Sequence, residues 1–384
     1  MSRFRPNEII TLVADAPRFD LGGSYGPNLA LHELFEGDLE QQLRSLVLGY
    51  GSAPGDELLR REIGAMNGVD ADDVVITAGS AHALFLLSFI LCAREDEAVL
   101  ATPVFPPARG ALDAIGAAIR LLPLTFDRGY RLDPQELGSL LTERTKLVSL
   151  ASPQNPSGVA IPLDVLAEVC EIMRERAPHA YLLVDDVYRE AAFGDDPVAV
   201  SALTLGENVV TTASLSKCHG APGLRLGWAI TRDHALREQL VRGKFTTIVS
   251  APVIEERLAL RVLALRDRIL SERRVILARC LERTERWVTA NGALVEWVRP
   301  SAGAICCVRL KAEVFDDIAV ERFYEGLRAA GIRVSNGAWF GEEARVFRLG
   351  FAHLALNELD AAYEAMTAVL SRIVDETKMV GSWT

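Results

Sequence analysis

The run Val209-Val210-Thr211-Thr212-Ala213 leads directly into Ser214-Leu215-Ser216-Lys217 and, a few residues on, Gly223-Leu224-Arg225-Leu226-Gly227-Trp228. A short apolar, β-branched run bounded by turn-forming residues reads as a strand, and the lysine then stands at its carboxyl end. The same kind of run recurs at 74–77, 98–102, 119–124, 147–151, 181–185 and 226–230. Helical patterns such as 81–93, 163–174 and 235–243 sit between most of these runs. Near-continuously apolar strands alternating with helices imply an α/β fold, a mainly parallel seven-stranded sheet sandwiched by helices.

Past that region the pattern changes. A helical stretch rich in Arg and Glu on one side runs from about 252 to 289 and stops at Asn291-Gly292, where glycine suits a helix end. Strands at 294–298, 304–310 and 346–350 and helices near 318–330 and 358–374 follow, a smaller α+β grouping. The expected division is a large domain over 45–285 and a small domain built from 1–44 and 286–384.

Composition excludes several function classes. The chain has 384 residues, 49% of them hydrophobic, and 41 basic against 52 acidic side chains leave a formal net charge of −11. That sign argues against nucleic acid or a membrane surface as partner. The longest apolar run, 83–93, is well short of the roughly 20 residues of a membrane span, and residues 1–28 lack the succession of a secretory signal, so a soluble cytoplasmic protein is expected. Six cysteines show no CxxC pair and no zinc-ligand spacing, which predicts buried free thiols and no metal. Only Lys146, Lys217, Lys244, Lys311 and Lys378 are lysines, so 36 of the 41 basic residues are arginine and a lysine at a strand mouth stands out.

One motif points elsewhere. Gly22-Gly23-Ser24-Tyr25-Gly26 matches G-x-S-x-G, the hydrolase nucleophile elbow, but an elbow needs a preceding strand, a following helix and a sheet to sit on. Only about twenty residues precede it and Pro27-Asn28 follow, so it reads as a glycine-rich turn. No GxGxxG, Walker lysine motif or HExxH is present.

Lys217 is the stronger lead, because ligands of α/β folds collect outside the carboxyl ends of the strands. Desolvation there lowers an amine's pKa and makes it a better nucleophile toward an aldehyde. Ser214, Ser216 and Arg225 offer donors suited to a phosphate. The plain alternative is a surface lysine after a strand. Other pieces lie at other strand ends: Asp185 with Tyr188 three residues on, the turn 152–158 (SPQNPSG), the stretch 77–81 opening a helix whose amides suit an anion, and Pro103-Val104-Phe105. Taken singly, Asp185 could be a cap, Tyr188 and Phe105 core, and Arg348 a solvated strand residue.

As a set these stretches resemble a fold type I pyridoxal-phosphate enzyme of the class I/II aminotransferase family. The matching pieces come in family order: Tyr50 with Gly55 and LLRREI (58–63), AGSAHAL (78–84), PVF, SPQNPSG, DDVY (185–188), SLSK, GLRLGW and VFRLGFA (346–352). They span nearly the whole chain. The resemblance implies an aspartate-aminotransferase-like large domain and the cofactor pyridoxal 5'-phosphate, with Lys217 forming the internal aldimine. It implies that Asp185 pairs with the pyridine nitrogen, and that Asn155 and Tyr188 bond the phenolic oxygen. Phe105 would stack on the ring, and Gly79, Ser80, Ala81, Ser214, Ser216 and Arg225 would surround the phosphate. Tyr50 would reach the phosphate from a second subunit, so a homodimer with shared active sites is implied. Arg348 would take the substrate α-carboxylate, with Asn155 and Gly23 beside it. Cys218 and His219 are read as neutral neighbours of the lysine.

The implied reaction is a ping-pong transfer of an amino group between an L-amino acid and a 2-oxo acid. Elimination, cyclisation or oxidation of an amino acid could start from the same Cα carbanion. Regulators that carry this fold append a DNA-binding module, which the pattern starting within the first fifty residues does not suggest. The side-chain pocket is placed only loosely, at 22–25, 246–250 or Trp339.

Overall fold

The computed structural model describes residues 4–14, 17–194 and 198–381. In chain order these hold β1 (Phe19–Asp20), α1 (Leu39–Arg44), α2 (Glu57–Asn67), β2 (Val74–Thr77), α3 (Ser80–Leu91), β3 (Glu97–Thr102), α4 (Pro106–Ile115), β4 (Ala118–Pro123), α5 (Pro134–Leu140), β5 (Thr145–Ala151), α6 (Leu163–Arg176), β6 (Tyr181–Asp185), β7 (Val209–Ser214) and β8 (Gly227–Thr231). The helices α7 (His234–Ile248), α8 (Val253–Ala264) and α9 (Arg266–Ala290) lead to β9 (Val295–Val298), β10 (Ile305–Leu310), α10 (Asp317–Ala329), β11 (Ile332–Arg333), β12 (Ser335–Asn336), β13 (Val346–Gly350) and α11 (Leu356–Gly381).

Seven strands form one sheet in the order β2-β8-β7-β6-β5-β3-β4. All neighbours are parallel except β8, which runs antiparallel to both β2 and β7. The central strands are buried almost end to end, as strands with helices on both faces must be, whereas β4 closes an edge and is largely accessible. This is the α/β architecture the alternation of apolar runs and helices implied. Because β5, β6 and β7 are parallel, their carboxyl ends open together, and there the chain places Ser152, Asp185 and Lys217.

Local chemistry explains where the covering helices start. Asp56, Asp133, Asp233 and Asp316 each precede a helix and accept backbone N–H groups of its first turn, a contact contributing about 1 kcal/mol per helix. The single helix expected over 252–289 is in fact two. Leu265 breaks it without any Pro or Gly, and Arg266 and Arg268 just beyond are held by Glu190 and Glu36 from other parts of the chain. Tertiary ion pairing, invisible to helical periodicity, lies beside the break.

The second body is an antiparallel sheet, β12-β13-β10-β9, covered by α9, α10 and α11. Its core packs Phe323 against Phe347 and stacks Trp287 on Tyr363 with ring centroids 5.1 Å apart. Full burial of a ring such as Phe347 contributes roughly 1.5–3 kcal/mol. Arg309 of β10 reaches across to Asp127 (2.7 Å) and lies over the Phe126 ring, tying this sheet to the edge of the larger one.

The N-terminal segment divides between the two cores. Phe19 and Leu21 pack with the small sheet, whereas Leu34 and Leu39 pack with Leu59, Leu226 and Leu258 beside the large one. Strand β1 pairs in parallel with β11, and the Gly350 amide donates to the Leu21 carbonyl (2.7 Å). A Cβ at position 350 would stand 1.7 Å from the Gly23 carbonyl oxygen, so only glycine lets the two backbones touch. That contact sets the turn 22–25 against the open end of the sheet. Among the described residues no helix is long and apolar enough to cross a membrane, and no cluster of His, Cys, Asp or Glu could hold a metal ion.

Candidate active site

Lys217 lies in the turn after β7, partly accessible at the sheet's open end yet densely surrounded. Its Nζ donates to Ser24 Oγ at 2.6 Å and sits 5.5 Å from the centroid of the Tyr25 ring. Burial pushes the amine down to about 7; the charges of Arg348 and Arg225 add to this and Asp185 opposes it. An amine in that range can accept or release a proton near neutral pH.

Asp185 ends β6, beside Thr212 of β7, whose hydroxyl donates to its carboxylate at 3.2 Å. Burial raises this carboxyl to about 6, with the Thr212 bond and the Lys217 charge working the other way. A cationic partner would restore its ionised form. Tyr188 is 2% exposed and its hydroxyl donates to the Ser24 carbonyl at 3.2 Å; burial pushes the phenol up to about 12.

Arg348, on β13, is 2% exposed and has no carboxylate within 4 Å among the described residues. Its Nη1 donates to Asn155 Oδ1 (2.8 Å) and its Nη2 to the Gly22 carbonyl (2.7 Å) and Ser335 Oγ (3.0 Å), while Nε is buried without a partner. Burial lowers its pKa. A buried guanidinium with neutral partners and a spare donor suits an incoming carboxylate.

A third group gathers where α3 begins. Gly79 caps that helix at φ +78, and a Cβ there would lie 2.6 Å from Arg225 Nη2. Arg225 Nη1 donates to Ser216 Oγ at 3.4 Å, and Ser214 Oγ accepts the Ser216 amide at 3.3 Å. The helix N-terminus with Ser80 and Ala81, two serines and an arginine without a carboxylate within 4 Å among the described residues together offer donors suited to an anionic group.

The fold thus brings together Lys217, Asp185, Tyr188, Arg348 and Asn155, with Gly79, Ser80, Ser214, Ser216 and Arg225 as a second cluster and Gly23 beside His353. Phe105 stands at the start of α4 within the apolar cluster beneath α3 and α4, and is not among the residues lining the cavity at Lys217. Tyr50 is 90% exposed and touches none of these groups in its own chain. Residues 246–250 end α7, where Thr247 bonds His82, and Trp339 offers its carbonyl to Asn7; neither place lines the cavity at Lys217. Cys218 donates to the Val187 carbonyl with its thiol pushed up to about 12, and burial lowers the His219 pKa.

Ser24 and Tyr25, from the turn expected near the side-chain pocket, line the cavity with Lys217, and His353, which no sequence signal marks, packs against Tyr25. The first two belong to the G-x-S-x-G turn, and no elbow surrounds Ser24: its partners are Lys217 and Tyr188. Tyr25 packs edge-on against His353, with ring centroids 5.2 Å apart.

The family model for aminotransferase class I and II matches residues 28–366. A capreomycidine synthase of Streptomyces vinaceus is 29% identical over 313 residues, 81% of this chain and 78% of that protein. The arginine–pyruvate transaminase AruH of Pseudomonas aeruginosa is 31% identical over 205 residues, 50% of this chain and 51% of that one. Among solved structures, a PLP-dependent aminotransferase from Streptococcus suis superposes with a TM-score of 0.85 at 25% identity, covering 93% of this chain and 94% of that one. The PLP-dependent cyclase OrfR superposes with a TM-score of 0.84 at 25% identity, covering 97% and 98%.

Proposed function

Because the chain belongs to the class I and II aminotransferases, a family of pyridoxal-phosphate-dependent enzymes, we propose that it moves an amino group between an L-amino acid and a 2-oxo acid. The observation that carries this reading is the pairing of the buried Arg348 guanidinium with the Lys217 amine, which that charge helps push down to about 7, neither having a carboxylate within 4 Å among the described residues. Such an arrangement costs stability unless anionic groups arrive from outside.

The residues present fit the cofactor. Lys217 would hold its aldehyde, Asp185 its ring nitrogen, and Asn155 and Tyr188 its phenolic oxygen. The Gly79 cradle, too tight for a side chain, would hold the phosphate with Ser80, Ala81, Ser214, Ser216 and Arg225. Phe105 is assigned to the ring face, and the exposed Tyr50 to the phosphate of a neighbouring copy in a homodimer. Pyridoxal phosphate supplies an electron-withdrawing ring that acidifies the substrate's Cα–H.

Arg348 receives the substrate α-carboxylate on its spare Nε and on an Nη that gives up a neutral partner to it, and so sets the orientation of Cα. Asp185, whose carboxyl burial raises to about 6, would pair with the ring nitrogen and hold a proton on it. Lys217 Nζ takes the Cα proton, which an amine with a pKa near 7 does without a strong base elsewhere. An amino acid and an oxo acid present the same carboxylate to the one Arg348 fork, so they bind in turn and the kinetics are ping-pong.

Replacing Lys217 with Ala removes the visible absorbance of the bound cofactor and lowers turnover by orders of magnitude. A Lys217→Ala enzyme that stays yellow and active overturns the assignment. A second reading, cyclisation of an amino acid, is favoured by the synthase that aligns over 81% of the chain. Product analysis separates the two. Transfer releases one equivalent of 2-oxo acid per site when an amino acid is supplied alone, whereas cyclisation turns over without an oxo acid and releases a ring product.

A further inference from the structure

We infer that Ser24 is a positioning residue for the Lys217 amine, its hydroxyl fixing where the Nζ lone pair points when that amine exchanges the Cα proton. The inference rests on the amino-transfer reading above. Ser24 is 9% exposed, and the 2.6 Å contact with Nζ joins residues 193 apart in sequence. Among the described residues no other side chain hydrogen-bonds this amine, although Asp185 acts on it through its charge.

Ser24 is itself held from several sides. Its carbonyl accepts the Tyr188 hydroxyl at 3.2 Å. Two residues earlier, the Gly22 carbonyl accepts Arg348 Nη2 at 2.7 Å and the Gly22 amide donates to Asp20 Oδ1 at 3.0 Å. Asp20 in turn takes a two-pronged bond from Arg333, at 3.0 and 2.7 Å. The Gly350 backbone against Gly23 closes the remaining side.

A primary amine turns freely about its Cε–Nζ bond unless one of its N–H bonds is held. Once the amine is uncharged, an N–H held by Ser24 Oγ confines the lone pair to a narrow arc. Small errors in such an orientation cost on the order of tenfold to a hundredfold in rate. The same turn touches the substrate-carboxylate arginine through Gly22 and the proton carrier through Ser24. It therefore sets the two ends of the reacting geometry relative to each other.

The test compares Ser24→Ala and Ser24→Thr with the natural chain in two measurements. The first is the single-turnover rate of the holoenzyme with protiated and Cα-deuterated amino acid. The second is the pH profile of Lys217 modification by an amine-reactive acylating reagent in the full-length chain stripped of cofactor, followed by mass of the Lys217 peptide.

Ser24→Ala is expected to slow the single turnover about tenfold or more, with substrate affinity within twofold and a larger isotope effect. Its labelling midpoint is expected to fall by about one pH unit, because the buried ammonium loses an oxygen acceptor. Ser24→Thr, which keeps a hydroxyl, is expected to restore both. An unchanged midpoint with an unchanged isotope effect overturns the assignment, as does a loss confined to substrate affinity, or a Thr variant that behaves like Ala. If the natural chain transfers no amino group at all, the reaction reading fails on its own, since the labelling midpoint reports the Ser24 contact without any reaction.

Discussion

Replacing Arg348 with Lys keeps a positive charge at the proposed carboxylate site and removes the fork. The guanidinium has its Nη atoms committed to Asn155, Gly22 and Ser335, and its Nε is left unpartnered in a buried setting. A carboxylate would take that Nε together with an Nη that exchanges a neutral partner for it, a bidentate pair of which lysine can supply one charged hydrogen bond. One lost charge-assisted bond corresponds to about 1.5–3 kcal/mol, or roughly 10- to 150-fold in kcat/KM. The assay is the half-reaction of each enzyme with an amino acid and with the matching amine that lacks the α-carboxylate. Arg348→Lys should lose activity toward the amino acid while the ratio between the enzymes approaches one for the amine. A kcat/KM for the amino acid within threefold of the natural enzyme refutes the assignment, and so does an equal loss on both compounds.

Two further outcomes follow from packing and charge. Gly350→Ala drives a methyl into the Gly23 backbone, so it should lower stability by about 1–3 kcal/mol in thermal denaturation and disturb turnover beyond that loss; a variant with natural stability and activity contradicts the backbone contact. Glu97 accepts from Arg120 and Thr142 (2.8 Å each) and from Arg144, and these bonds hold its carboxyl down at about 2 against an ordinary 4.5. A lowered folded pKa means that its stabilisation is present above about 4.5 and lost as pH falls toward 2, so melting curves of Glu97→Gln should be lower near neutrality and fall less over that window. Parallel melting profiles for the two chains contradict this.

The strands were legible because burial on both faces leaves uninterrupted apolar runs, as at Tyr181–Asp185 and Val209–Ser214, whose ends are one residue or less from the sequence reading. Lys217, Asp185, Asn155 and Ser80 were legible for a related reason, since each ends or follows a strand of the large sheet whose carboxyl end points there, whereas Arg348 lies within a strand of the small sheet. What the chain hides is contact between distant segments. Helical periodicity continues through Leu265, beside which ion pairs to Glu190 and Glu36 hold the chain. Ser24 carried a visible motif, but the motif advertised a nucleophile. Its partner is 193 residues away, and no local pattern names it. The neutral partners of Arg348 are hidden likewise, because a buried arginine in a strand reads the same whether or not a carboxylate faces it.

The pairing of β1 with β11 and of Leu21 with Gly350 has a consequence for how the molecule is made. The backbone that the turn beside Lys217 rests against is synthesised some 325 residues after that turn, between positions 25 and 350. At typical elongation rates that is a wait of roughly 15–65 s. During it the large sheet can form through shorter-range contacts, while Phe19 and Leu21 have no core to enter. The residues proposed to hold the phosphate, from Gly79 to Arg225, are thus all made well before Lys217 can meet Ser24 in its folded setting. The contact between Lys217 and Ser24 therefore waits for β1 to find β11.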